Sequence, residues 1–180
     1  ALALRAFFHF DIIRLYAPAP VTEDETPLIP YQAEWPSEIK TNLGVTAALE
    51  EVIKDLLLAK DYLALCDTSF NKSAMSSFDA RFNGNFWPAQ GGTFMNYRGM
   101  RMNYMAATGL LARMYLYMEN WDEALKYANE VLAVKPTLTA LASAEDAAFA
   151  WQGKSPFGVY NVETSDEVIW IYSNTGEIGS

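Results

Sequence analysis

The stretch that decides the fold is Leu110-Leu111-Ala112-Arg113-Met114-Tyr115-Leu116-Tyr117, followed after two residues by Asn120-Trp121-Asp122-Glu123-Ala124-Leu125. Ala107, Leu110, Leu111, Met114 and Met118 recur at helical spacing, and Tyr104, Tyr115 and Tyr117 widen that stripe. A helix apolar on most sides packs between neighbours. The pattern predicts a helix over about 96–118. Asn120 with Glu123 three residues on has capping-box spacing, which starts a second helix. Trp121, Ala124, Leu125, Ala128, Val131 and Leu132 form its expected buried face, and Pro136 stops it. The two helices fit one tetratricopeptide repeat, with Thr108, Leu111, Ala112, Tyr115, Ala124, Ala128 and Pro136 in its slots. Thr108 and Ala128 depart from that pattern. A single hairpin cannot bury its face alone, so further helices are required.

Two more helices precede it. Over 2–16, Leu4, Phe8, Ile12 and Leu15 share a face, and Pro18 and Pro20 end the run. Over 45–64, Leu49, Val52, Ile53, Leu56 and Leu63 face the core, and Glu50 with Lys54 makes a favourable pair one turn apart. Between them, 17–44 is a long connection that carries five prolines and the acidic run Glu23-Asp24-Glu25. Residues 66–95 read mostly as loop. Beyond the hairpin come a short helical stretch near 144–151 and a strand from Glu167 to Tyr172. The fold class is therefore all-α: tetratricopeptide-like hairpins with long loop insertions and a short C-terminal strand, in one domain over 1–180. The mid-pattern start at Ala1 reads as an internal piece of a longer protein.

Composition narrows the function. The 180 residues carry 13 Lys and Arg against 22 Asp and Glu, a net charge of −9, and no basic stripe. That excludes nucleic acid as a partner and gives no electrostatic reason to lie on an anionic membrane. Apolar residues reach 51%, which excludes a disordered chain. The single cysteine, Cys66, forms no intrachain disulfide. One His and one Cys make no usual zinc site and leave no evident Ser/His/Asp arrangement. His9 therefore reads as structural. Asp67-Thr68-Ser69-Phe70-Asn71 begins like a calcium loop but lacks its Gly and its closing Glu. No catalytic residue, metal or cofactor is expected.

Three stretches together resemble the SusD/RagB family of outer-membrane nutrient-binding lipoproteins. The first is Ala3-Leu4-Arg5-Ala6-Phe7 with Phe10-Asp11 and Tyr16-Ala17-Pro18-Ala19-Pro20, where Ala17 replaces the usual Gly. The second is Val52, Asp55-Leu56, Ala59 and Leu63. The third is the Leu110–Tyr117 stretch with Asn120-Trp121, Ala124 and Ala128, and Glu167-Val168-Ile169-Trp170 is similar to the family's strand. Family members are longer, with a lipid-attachment cysteine at the mature N-terminus; Cys66 is not that residue. The resemblance implies a non-catalytic protein on the outer face of the outer membrane, lipid-anchored outside this chain. It would capture oligosaccharides, or peptides in one branch, and deliver them to a SusC-like TonB-dependent transporter. The alternative is a tetratricopeptide adaptor that binds a protein or peptide partner.

Sugars stack on flat aromatic faces while planar polar side chains take their hydroxyls. The loop tryptophans Trp35, Trp87 and Trp151 are the candidate ligand-binding residues, Trp87 with Asn83, Asn85 and Gln90 nearby. Trp121 and Trp170 lie in regular elements and read as core.

Overall fold

The computed structural model describes residues 1–70, 98 and 101–134, and the statements below concern those residues. They are mostly helical: α1 (Leu2–Tyr16), α2 (Val45–Ala64), α3 (Tyr104–Tyr117) and α4 (Trp121–Val134). A two-stranded antiparallel ribbon, β1 (Ile29–Pro30) and β2 (Asn42–Leu43), pairs Ile29 with Leu43 and Pro30 with Asn42. The all-α expectation holds at this level. The expected helix at 144–151, the strand at 167–172, Trp170 and Pro136 lie outside the described residues. None of the described helices is long and apolar enough to cross a membrane.

The chain divides into two compact units, residues 1–62 with 107–131 and residues 63–106 with 132–180. In the first, Val45, Ala48, Leu49, Val52, Ile53, Leu56 and Ala59 form the buried face of α2, close to the face its spacing predicts. Leu63, expected on that face, is half-buried. Lys54 pairs with Glu51 at 3.7 Å rather than with Glu50. The N-terminus of α2 is capped from a distance. Glu25 Oε2 accepts the Thr46 backbone N–H at 3.2 Å, and its other oxygen accepts the Thr46 hydroxyl. A carboxylate there also meets the positive end of the helix dipole.

On α1 the buried face differs from the expected one. Ala3, Ala6, Phe10 and Ile13 are buried, while Leu4, Phe8, Ile12 and Leu15 are exposed. Both sets have helical spacing. Periodicity finds a stripe but cannot choose between two apolar ones, and the side with two alanines allows the closer approach. Phe10 anchors that side: Tyr117 meets its ring edge-on at 5.7 Å, and the Arg113 guanidinium lies 5.8 Å from it.

Leu111 is fully buried, and the Tyr115 ring stacks on Tyr127 at 5.5 Å with 5° between planes. That stack, with Lys60 5.4 Å and Lys126 4.8 Å from the Tyr127 ring, sets the rotation of α4. Ala124 and Tyr127 become its buried residues, and Ala128 and Val131 are half-buried. Trp121, Leu125 and Leu132 are exposed, so Trp121 is not core. Tyr127, outside the expected set, takes the buried place beside Ala124 because its ring stacks on Tyr115. The Asn120 cap is present, with Oδ1 accepting the Glu123 N–H at 3.3 Å.

The turn between α3 and α4 is a Schellman motif. Asn120 N–H bonds Tyr115 O at 2.9 Å and Glu119 N–H bonds Leu116 O at 3.1 Å. Glu119 takes the left-handed conformation this motif requires, with φ 59°.

In the second unit, α2 passes into a π-helical turn over Leu65–Phe70, where loop was expected. Asp67 on this turn is buried and bonds Arg98 and the Tyr104 N–H at 2.8 Å. Asn103 Oδ1 accepts the Ala106 N–H at 2.9 Å. These two acceptors fix the start of α3 at Tyr104, later than the apolar run suggests. Upstream, the Arg98 side chain takes the Met102 carbonyl at 2.9 Å, so that carbonyl is held by a side chain. Tyr104 and Met105 pack with Leu63 and Ala64.

Candidate functional site

The connection 17–44 is more ordered than its prolines suggest. The β1–β2 ribbon turns residues 31–41 into an arm, and side chains from α1 and α2 hold its stem. Asp55 is the hub. Arg5 donates to both carboxylate oxygens, Nε to Oδ2 and Nη2 to Oδ1, each at 2.6 Å. The Tyr31 hydroxyl donates to Oδ2, and Arg5 Nη1 donates to the Ala33 carbonyl. Such a two-point guanidinium–carboxylate pair fixes geometry as well as charge. The His9 ring lies 4.5 Å from the Tyr31 ring, and Gln32 N–H points at His9 Nε2 at 3.3 Å.

The electrostatics follow from that packing. Burial would push the Asp55 carboxyl up, but the bonds from Arg5 and Tyr31 and the charge of Arg5 outweigh it, so it lies below its ordinary value. The bond to Asp55 holds the Arg5 guanidinium above its ordinary value despite partial burial. Burial first, and the carboxylate beside it second, push the Tyr31 phenol up. All three therefore keep at neutral pH the charge states their bonds require.

Beyond this stem the arm faces solvent. Trp35 is 92% exposed at its tip, and Ile39 is also fully exposed. Glu34 and Lys40 pair across the arm at 3.7 Å, and Gln32 Nε2 donates to the Glu38 carbonyl at 3.3 Å. The Trp35–Pro36 peptide is cis. The Trp35 indole thus stands clear of the fold, on the same arm as the Glu34–Lys40 ion pair.

No family model matches the chain, and no curated protein does either. The arm must be read from its own chemistry. Of the three candidate tryptophans, Trp35 is placed at an exposed tip; Trp87 and Trp151 lie outside the described residues. Among the described residues no three His, Cys, Asp or Glu side chains gather as a metal site.

The stem escaped the sequence reading as a unit, although one signal pointed to it. Asp55 falls among Val52, Leu56 and Ala59 on the inward side of α2, and Arg5 falls between Ala3 and Ala6 on α1. A charge on a buried face needs an opposite charge to meet it. Tyr31 and Gln32 carry no such signal, because nothing local says the connection folds back.

Proposed function

We propose that this chain is the helical scaffold of a SusD-like capture protein, with tetratricopeptide-like hairpins as framework and loops as the recognition surface. It binds oligosaccharides without transforming them and passes them to a SusC-like TonB-dependent transporter at the outer face of the outer membrane. The observation that carries this reading is the exposed indole of Trp35 on an arm whose stem is tied to two helices. Holding a platform rigidly before the ligand arrives avoids part of the ordering cost of binding. Glu34, Lys40 and Gln32 on the same arm are polar side chains of the kind that take sugar hydroxyls.

Isothermal titration of the protein against a panel of oligosaccharides tests the reading. At least one glycan binds, and Trp35→Ala weakens it by roughly tenfold, the loss of one to a few kcal/mol that an aromatic anchor supplies. Absence of binding to every glycan and peptide overturns it.

One observation favours the adaptor reading. Leu4, Phe8, Ile12 and Leu15 form an exposed apolar stripe on α1, which suits a protein partner. Under the capture reading the transporter is that partner. Co-purification of the protein with an outer-membrane transporter, lost in Phe8→Glu, separates the two; capture of a water-soluble partner alone favours the adaptor.

A further inference from the structure

Both ring nitrogens of His9 are engaged, and their partners differ in kind. Nδ1 lies 2.9 Å from the Arg5 backbone carbonyl, which can only accept. Nε2 lies 3.3 Å from the Gln32 backbone nitrogen, whose N–H can only donate. The two contacts therefore require the same state: neutral imidazole, proton on Nδ1, lone pair on Nε2. We propose that His9 is a positioning residue for the Trp35 arm that latches it only in this neutral form, so that acid releases the arm at Gln32.

The reason is local. A second proton would sit on Nε2 and point at the Gln32 N–H, leaving two donors face to face. The charged neighbours do not compensate. Arg5, from the same helix, repels an imidazolium; Asp55, from α2, attracts it; and those two are bonded to each other. Tyr31, from the arm, presents its ring to the imidazole and its hydroxyl to Asp55. With the paired charges opposing, the lost hydrogen bond decides. Gln32 is three residues from Trp35, so the latch sits at the base of the exposed tip. Only the consequence for ligand binding rests on the proposed function; the latch stands on the stem.

Nitrogen NMR of the His9 side chain and hydrogen exchange at the Gln32 amide, corrected for the intrinsic pH dependence, test it without any ligand. At about pH 8, above the range where histidines titrate, Nδ1 carries the proton and the Gln32 amide is protected. At about pH 5 that protection falls roughly fivefold, the equivalent of one hydrogen bond of about 1 kcal/mol. His9→Phe keeps a ring against Tyr31 and removes both bonds; its Gln32 amide is poorly protected at both pH values. A proton on Nε2 in the neutral protein, or protection unchanged on acidification, overturns the proposal. The tautomer measurement needs no variant, so a poorly folding His9→Phe does not remove the test. If the latch responds as described while no glycan binds, the functional reading fails and the latch survives.

Discussion

Asp67 and Arg98 form a two-point ion pair, Nε to Oδ1 at 2.7 Å and Nη2 to Oδ2 at 2.9 Å, with both side chains almost entirely out of solvent. The same carboxylate also receives the first N–H of α3. One side chain thus neutralises a buried guanidinium and caps a helix. Removing one partner leaves the other charge buried without compensation, which costs about 3–5 kcal/mol. Asp67→Ala is therefore expected to lower the unfolding free energy read from urea titration by that much, or to unfold the protein. Replacing both together, Asp67→Leu with Arg98→Met, recovers part of the loss, because an apolar pair leaves no stranded charge. A double variant no more stable than Asp67→Ala would place the cost elsewhere, in the lost helix cap.

The Asp55 hub gives a pH dependence whose sign is fixed. Its carboxyl lies below the ordinary value, against burial and because of Arg5 and Tyr31. A depressed carboxylate contributes stability that is complete above the unfolded value of about 3.9 and is lost as pH falls through the lower folded value. Other carboxylates titrate in the same window, so the useful quantity is a difference. Asp55→Asn is less stable than the parent at neutral pH, and the gap closes as pH drops below about 4. Urea unfolding of both proteins across that window measures it; a gap that stays constant would mean that Asp55 carries no ionic contribution.

What the sequence discloses here follows distance along the chain. The ranges of α1 and α2 are legible from periodicity and from Pro18, because both act within a few residues. Which face of α1 turns inward is not, since Ala3, Ala6, Phe10 and Ile13 compete with an equally regular and larger apolar set. The start of α3 is not legible for a related reason. Apolar residues run on upstream of Tyr104, and what stops the helix is a carboxylate 37 residues away. The Trp35 arm shows both sides. Its aromatic tip is visible as a loop tryptophan, whereas its stem joins residues from 5 to 55 and the ribbon strands are two residues each, too short to alternate.

Gly44 is a position where only glycine fits. A Cβ there would lie 2.3 Å from Glu25 Oε2 and 2.9 Å from the Glu25 carbonyl oxygen. The carboxylate could swing away, but the backbone oxygen could not without moving the chain that leads into β1. Gly44→Ala is expected to detach Glu25 from the N-terminus of α2, at a cost of about 1–2 kcal/mol for a lost cap. Thermal unfolding measures that loss. Glu25→Gln keeps an acceptor for Thr46 and costs less; if Gly44→Ala proved neutral, the distant cap would contribute nothing to stability.

Glu119 offers the opposite change. Its φ of 59° lies in the left-handed region, where an L side chain brings Cβ against the following carbonyl, and the Schellman turn forces it there. The Glu119 side chain is exposed and enters none of the hydrogen bonds of the turn. Glycine removes the steric cost but enlarges the freedom of the unfolded chain, and these effects oppose each other. At a left-handed helix end the steric relief, about 1–2 kcal/mol, exceeds the entropic loss of up to about 1 kcal/mol. Glu119→Gly is therefore expected to stabilise the protein by roughly 0.5–1 kcal/mol, read as a higher urea midpoint with an unchanged slope. Glu119→Ala, which keeps the Cβ and drops the carboxylate, separates the causes. It should match the parent if backbone strain dominates. An equal gain from alanine would instead assign the effect to removing a negative charge beside the negative end of α3.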